Sequence, residues 1–445
     1  MPDSISPAPN RGAIVALAFG TTVAMWAVGY VCRIPPARVP SPLLLAALLA
    51  LVFAGGLVAG RTTGRGLVAG LATGLLAAAL NMLILGSLLS GNTPGAITPS
   101  AIWWLPGALA LGAGLGAAGG WFGARGRIER SREINWLWLL VVVDLLATGL
   151  LIGVGGLVTS WEAGLAVVDW PNSFGYNMFL YPLSRMTGGI YYEHAHRLFG
   201  SLVGLTTLVM VFRFFRDPRG RRWRTLATLA LVMVVIQGLL GGLRVTGKLT
   251  LTTDPSQVAP SLTLAMIHGV FGQLFLSVLA MLAVVTSSGW TGATAHRSPS
   301  ARLDRKLATG LTVLVIIQLL LGALVRHVES QQMDAGIVIH ISMACLVAVA
   351  TLIVALRAWG VHRQIQPLRR LGLWLLWIMP IQLTLGLGAL VAVLFRGGQG
   401  RPSWPEVLVA TAHQLNGALL LGLCVALACW MYRVLEPPEN PRQAS

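Results

Sequence analysis

Apolar runs of about 20 residues recur along the whole chain, and they constrain its fold more than any other feature. Each run is long enough to cross a bilayer as an α-helix. Only 11% of the 445 residues are charged, which is too few to cover a soluble surface. The sequence therefore predicts an all-α, polytopic membrane protein with about twelve transmembrane helices. We expect the spans at 12–32, 42–60, 66–89, 101–123, 136–158, 193–214, 225–243, 263–287, 307–325, 337–358, 371–395 and 408–432.

The net charge of +17 lies mainly in short loops between apolar runs, a pattern that indicates topology and argues against nucleic-acid binding. Basic residues occupy alternate loops, so the positive-inside rule places those loops and both termini in the cytoplasm. We expect a multi-pass protein of the cell inner (cytoplasmic) membrane, surrounded by lipid. The outer loop at 159–192 is too long for a simple connector and is a candidate lid.

The last eight spans contain an internal repeat. Three of them carry a glutamine four residues before a glycine, at Gln237, Gln318 and Gln382. The span after each of them holds a histidine. His196 and His340 are 144 positions apart, and His268 and His413 are 145 apart. This nearly constant offset indicates that one four-helix unit was duplicated, giving two four-helix bundles.

The repeat also divides the chain. Residues 1–130 form a four-helix membrane module that has no histidine and no evident role. Residues 131–306 form the first repeat half, residues 307–435 form the second, and residues 436–445 form a cytoplasmic tail.

Each repeat half offers two histidines near the outer ends of its helices: His196 with His268, and His340 with His413. Buried histidines are costly in a bilayer and are usually functional. Two imidazoles are too few ligands for zinc but suit a six-coordinate haem iron. One turn after the histidines, space for a flat macrocycle is expected beside Gly200, Gly272, Ala344 and Gly417. The residues predict two haem sites whose iron ligands are these four histidines.

Charged residues surround the predicted ligands. Arg197, Arg244 and Arg326 lie at outer helix ends, where a guanidinium suits a haem propionate. Glu193 lies one turn before His196, where it can orient the ligand, move protons or stabilise a cationic intermediate. A plain ion pair with Arg197 is the alternative role of Glu193.

The remaining histidines have other expected roles. His194 is an alternative ligand that points about 200° around the helix from His196. His327 is expected at the membrane interface or on a propionate. His296 and His362 lie in predicted cytoplasmic loops and are expected to be solvated.

At these residues the chain resembles the haem A synthase family, membrane enzymes that convert haem O to haem A for terminal oxidases. The most specific match is Glu193-His-Ala-His-Arg197, which follows an outer loop containing Gly164-Leu-Ala-Val-Val-Asp-Trp-Pro171. The resemblance covers roughly 136–432, the last eight spans. The chain departs from the family in two respects: its outer loop lacks the cysteine pair of many bacterial members, and it has four extra N-terminal spans.

The resemblance implies a division of labour between the halves. His196 and His268 would hold the reacting haem, with Glu193 assisting, while a ring methyl of haem O is oxidised to the formyl group of haem A. His340 and His413 would bind haem b. Haem O synthase and an electron acceptor such as quinone are the partners that such a protein implies.

Two other functions are left open by the residues. One is a di-haem b electron carrier linked to quinone, which usually has histidines at both depths of the bilayer. The other is a repeat-built transporter, whose mark is broken helices, with Pro380 as a lone candidate break. An assembly of identical chains is compatible with the sequence.

Overall fold

The computed structural model describes residues 11–91, 93–126, 134–247, 261–327, 330–396 and 400–438. Within these ranges, twelve helices are long and apolar enough to cross a membrane, which confirms the predicted all-α polytopic fold. A thirteenth helix is a single turn. In chain order the helices are α1 Arg11–Arg33, α2 Ser41–Thr63, α3 Gly66–Leu85, α4 Ala101–Arg125, α5 Trp136–Ser160, α6 Gly188–Arg216, α7 Arg224–Thr246, α8 Leu262–Val285, α9 Ser288–Thr291, α10 Ala301–His327, α11 Ser330–Leu356, α12 Gln366–Arg396 and α13 Trp404–Val434.

Helix α12 continues through Pro380 as one element of 31 residues. A proline inside a transmembrane helix is tolerated where neighbouring groups satisfy the freed backbone carbonyl. A repeat-built transporter would be expected to have a broken helix at Pro380. The described part of α12 is continuous there.

The chain forms two compact units. Unit 1 comprises Met1–Leu150, Pro171–Thr187 and Ser201–Arg221. Unit 2 comprises Leu151–Trp170, Gly188–Gly200 and Arg222–Ser445, and it contains all four predicted iron ligands. The domain boundaries expected from the repeat stay a prediction.

In unit 1, helices α2, α3 and α4 approach each other backbone to backbone. A Cβ atom on Gly56 or Gly70 would overlap the carbonyl oxygen of Gly116, and one on Gly60 would overlap that of Gly120. Helices in lipid associate through such close van der Waals packing, because lipid and apolar side chains are equally apolar. These glycines therefore set the spacing of the N-terminal helices.

In unit 2, helix α10 packs against α11 and α13, and α12 packs against α11 and α13. The most buried side chains of this core include Leu311, Leu368 and Leu375. Two short parallel strands, β1 (His296–Arg297) and β2 (Leu435–Glu436), join the segment before α10 to the segment after α13. The C-terminal end is thus tied to the beginning of the second repeat half.

One expectation from the sequence is wrong at the same end of unit 2. His362 is only 6% exposed, and its Nε2 atom lies 2.8 Å from Oδ2 of Asp304. Arg357 contacts the other oxygen of the Asp304 carboxylate through Nε at 2.5 Å. Helix α10 begins six residues earlier than predicted, so Asp304 is buried in its first turn and draws both side chains inward. His296, in contrast, is exposed as expected.

Candidate functional site

The predicted histidine pairs come together in the structure. The ring centroids of His196 and His268 are 6.1 Å apart, and those of His340 and His413 are 6.4 Å apart. The ring planes cross at 79° and 78° respectively. A metal–imidazole bond of about 2 Å on each side places the centres of two trans imidazoles roughly 6 Å apart. Both pairs therefore have the spacing of two axial ligands on one iron.

All four histidines lie at similar depth. Each stands between six and ten residues after the first residue of its helix, which is about 9–15 Å along the helix axis. His194 is 1% exposed, but the ring that faces His268 belongs to His196. Of His327, only the backbone lies in the described part of the chain. The similar depth of the four histidines argues against a di-haem electron carrier, which would have one haem near each face of the bilayer.

Each histidine ring rests on a glycine of the preceding helix. Placing a Cβ atom on any of these glycines would bring it against Cε1 of the ring, so no larger residue fits without moving the imidazole. We call these four positions the ring-seat glycines. The Cβ-to-Cε1 distances would be 3.0 Å from Gly155 to His196, 3.2 Å from Gly241 to His268, 3.1 Å from Gly322 to His340 and 2.9 Å from Gly386 to His413.

The repeated glutamines contact the same histidines. Gln237 donates from Nε2 to the carbonyl oxygen of His268 at 2.8 Å. Gln318 donates to the carbonyl oxygen of His340 at 3.1 Å, and its Nε2 also lies 3.1 Å from Nδ1 of that ring. The Nε2 atom of Gln382 lies 3.4 Å from Nε2 of His413. The repeated glutamine and glycine thus position the histidine of the next span.

The small residues one turn after the histidines do not all leave open space. A Cβ atom on Gly200 would meet nothing within 4 Å, as the sequence predicts. On Gly272, however, it would lie 2.9 Å from Nε2 of Gln237, and on Gly417 it would lie 3.3 Å from Nε2 of Gln382. These two glycines make room for the glutamines that hold the histidine backbone. The expectation of free space is wrong at these two positions.

The side chains of Glu193 and Arg197 are both buried near the N-terminal end of α6. Arg197 Nε lies 3.2 Å from Oε1 of Glu193. The guanidinium also donates to the carbonyl oxygens of Asp169 at 2.6 Å and Val167 at 2.9 Å. Glu193 is 4% exposed, and its Oε2 atom has no hydrogen-bond partner among the described residues. Arg197 therefore fixes one carboxylate oxygen and the outer loop, and leaves the second oxygen available.

The loop segment 161–170 is also held from helix α7. The guanidinium of Arg244 lies against the backbone of Gly164, where a Cβ atom would overlap it. The indole ring of Trp170 lies against Gly242 in the same way. The Gly-Leu-x-x-x-Asp-Trp motif is thus fitted to helices α6 and α7 by arginines and glycines.

In the second half, arginines lie at the C-terminal ends of α10 and α12. Arg326 donates from Nη2 to the carbonyl oxygen of Thr159 at 3.0 Å. Arg396 forms an ion pair with the buried Glu406, with Nε 3.3 Å from Oε1. Arg197 and Arg244 are cations near the first histidine pair, and Arg326 contacts the end of α5. The binding of propionates by these three arginines stays a prediction.

A haem iron fits these pairs better than a smaller metal centre does. Among the described residues, no group of three or more His, Cys, Asp and Glu side chains is arranged to hold a metal ion. Two facing imidazoles at this spacing suit ligation of a macrocycle that would supply the other iron ligands.

The ring-seat glycines were missed by the sequence reasoning, although their signal was visible. Three of them are the glycines of the repeated Gln-x-x-x-Gly motif, at Gly241, Gly322 and Gly386. Their effect depends on which histidine ring each meets, and that is fixed only by helix packing.

We expect Gly386→Ala to weaken haem binding at the His340–His413 pair by about 10- to 100-fold, because the added methyl displaces the His413 ring. Haem titration of the purified protein, followed by Soret absorbance, measures the effect. Gly310→Ala is the matched control, since a Cβ atom there meets nothing within 4 Å. Equal haem affinity in the two variants would show that Gly386 does not orient the His413 ring.

Comparison with known proteins finds similarity to a family of cytochrome oxidase assembly proteins and to haem A synthases. The family profile described as cytochrome oxidase assembly protein matches residues 135–336. "Heme A synthase" of Rhodospirillum centenum is 25% identical over 369 residues, which is 69% of this chain and 90% of that protein. "Heme A synthase" of Sphingopyxis alaskensis is 26% identical over 42% of this chain and 57% of that protein. The protein of the same name from Rhodopseudomonas palustris strain HaA2 is 27% identical over 45% of this chain and 58% of that protein.

The fold and the site define a polytopic α-helical membrane protein with two repeated histidine pairs, the first of which has a buried carboxylate three residues before its first histidine. The chain is similar to haem A synthases, and its residues 135–336 match the family of cytochrome oxidase assembly proteins.

Proposed function

We propose that this chain is a haem A synthase, a membrane oxidoreductase that oxidises a ring methyl of haem O to the formyl group of haem A. The observation that carries the proposal is Glu193, a buried carboxylate with one unpartnered oxygen, one helical turn from His196. Oxidation of a ring methyl develops positive charge at the methyl carbon, and a fixed carboxylate stabilises that charge.

The two histidine pairs differ in the residue one turn before the first ligand. Glu193 precedes His196 by three positions, whereas the equivalent position before His340 is Ile337. Only the first pair therefore has a group that can accept protons or stabilise a cation one turn from its first ligand. We assign the reacting haem to His196 and His268 and a resident haem b to His340 and His413.

The residues around Glu193 explain how it would act. Arg197 holds Oε1 of the carboxylate, so Oε2 keeps a fixed direction without a competing hydrogen bond among the described residues. This oxygen can accept the proton that is released when water adds to the oxidised carbon. Overall, the methyl carbon keeps one of its three hydrogens and gains one oxygen from water. Four protons are released, and four electrons pass to an acceptor such as a quinone, two to each quinone molecule. Haem b supplies one-electron transfer when it is bound.

The arginines would serve the carboxylates of the two macrocycles. Arg244 and Arg326 lie at outer helix ends, and guanidinium groups bind carboxylates in a bidentate manner. Arg197 already holds Glu193 and two loop carbonyls, so a propionate would be a further partner for it. We place both termini in the cytoplasm and the histidine pairs toward the outer face of the inner membrane. Haem O synthase would supply the substrate.

Conversion of haem O by the purified protein tests the proposal. We expect wild-type protein that is supplied with haem O and a quinone to yield haem A, identified by mass after acid extraction of the haems. A di-haem b carrier would yield only haem b, and a transporter would have no Soret band. Either of these results would overturn the proposed activity.

A further inference from the structure

The N-terminal module contacts a segment of the first outer loop, and both belong to unit 1. The segment is residues 171–187, which we call the distal loop. It follows directly after the Asp169-Trp170 part of the motif and precedes α6. The module can therefore affect the conformation of the distal loop directly.

The distal loop contains a tight turn in which one non-glycine residue has a positive φ. Ser173 and Tyr176 exchange two backbone hydrogen bonds of 2.9 and 3.0 Å across a tight turn. Within this turn Phe174 and Gly175 have φ values of +52° and +77°. A non-glycine residue with positive φ is strained, and the surrounding structure must hold it there.

The aromatic residues of the distal loop are packed rather than exposed. Tyr176 and Tyr181 are only 2% and 3% exposed, and their rings lie 5.7 Å apart. Arg185 lies over the ring of Tyr176 at 5.6 Å. A loop of this length cannot bury two tyrosines by itself, so it needs a surface to pack against.

The distal loop lies against the outer end of α3 and the 3₁₀ turn Gly86–Leu89 that follows it. The turn Met178–Leu180 of the distal loop contacts both elements. A Cβ atom on Gly86 would lie 2.8 Å from the carbonyl oxygen of Phe179, so the two backbones meet directly there. A Cβ atom on Gly175 would lie 3.8 Å from Cγ of Pro94.

The N-terminal side of this contact is itself held by backbone bonds. After the 3₁₀ turn the chain folds back, with Gly91 donating to Ala96 at 2.8 Å and Thr98 donating to Leu89 at 2.9 Å. The α3 helix behind it is packed backbone to backbone against α4 at the glycines described above. The contact surface is therefore held by backbone hydrogen bonds and by close helix packing.

We propose that the N-terminal four-helix module is an intramolecular clamp for the outer loop, and that it holds the distal loop through the contact of Gly86 with Phe179. The partner of the module's outer end is this chain's own loop. The other part of the loop, residues 161–170, is held separately by Arg197, whose guanidinium binds the carbonyl oxygens of Val167 and Asp169. The loop is thus fastened on both sides of the Trp170–Pro171 bond.

Limited proteolysis of the full-length protein tests the clamp. Arg185 is the only Lys or Arg in residues 159–192, so trypsin has one site in the loop. We expect Gly86→Ala to raise the rate of cleavage after Arg185 by about tenfold or more, because the added methyl pushes the Phe179 carbonyl away and opens the loop locally. Cleavage at the exposed Arg219 in the same sample is the internal reference.

Gly114→Ala is the matched control, because it adds a Cβ atom in the same module with nothing within 4 Å. It should leave cleavage at Arg185 at the wild-type rate. Equal rates at Arg185 in wild type, Gly86→Ala and Gly114→Ala would overturn the clamp.

If Gly86→Ala fails to fold, amide hydrogen exchange of the wild-type protein tests the clamp instead. Under the proposal, the amides of Ser173 and Tyr176 exchange as slowly as the amide of Thr98 in the module turn, since one packed unit opens together. Exchange at the rate of an unstructured peptide in the distal loop, with a protected module, would refute it.

Discussion

Replacing Glu193 with glutamine is expected to lower haem A formation per mole of bound haem by about a hundredfold or more. The amide keeps the size of the side chain but loses the negative charge and the ability to accept a proton. Folding and haem binding should remain largely intact, because Arg197 keeps its bonds to the carbonyl oxygens of Val167 and Asp169. Product is measured by extracting haems after a fixed time and comparing haem A with total haem.

Glu406→Gln is the matched control for this experiment. Glu406 is also a buried carboxylate paired with an arginine, but it stands seven residues before His413 rather than three before a ligand. We expect near-normal turnover per folded molecule in that variant. If Glu193→Gln lowered only the yield and haem content, with normal turnover, Glu193 would be a structural partner of Arg197 and the catalytic assignment would fail.

Replacing either His340 or His413 with alanine is expected to remove the haem b that we propose for the second half. Each change deletes one of the two proposed iron ligands, and the remaining imidazole would not maintain a six-coordinate, low-spin iron. The pyridine haemochrome content should fall by about half when both sites are loaded in the wild type, and the low-spin spectrum of this site should disappear.

His362→Ala is the control, because His362 is a buried histidine of the same half whose ring bonds Asp304 instead of facing another imidazole. It should retain the full haem content, even if thermal stability falls. Unchanged haem content and low-spin character in both the His340→Ala and His413→Ala proteins would refute the ligand assignment.

The helices could be predicted from the sequence because bilayer thickness sets a minimum apolar length, and twelve runs meet it. Their ends were less predictable. Helix α10 begins at Ala301, well before its apolar run, because the acidic Asp304 is favourable in a first helical turn and binds Arg357 and His362. Such contacts between distant residues leave no trace in hydropathy, so the burial of His362 was not foreseen.

The histidine pairs were predictable because duplication left a countable trace, the offset between His196 and His340. The glycines that seat their rings were not, since a glycine such as Gly241 reveals its role only when the facing ring is placed. The contacts of Arg197 with the loop were missed for the same reason. The sequence identified Arg197 as a cation near the site, but its partners are backbone carbonyls that any residue possesses.

The ring-seat glycines have a consequence for spectroscopy. Because each imidazole rests on helix backbone, its plane is set by helix packing, and both pairs have nearly perpendicular planes, at 79° and 78°. A haem held by either pair would therefore meet two imidazoles in nearly the same mutual orientation. Electron paramagnetic resonance would then give closely similar low-spin signals from the two halves. Assigning a signal to one haem therefore depends on variants that alter a single pair.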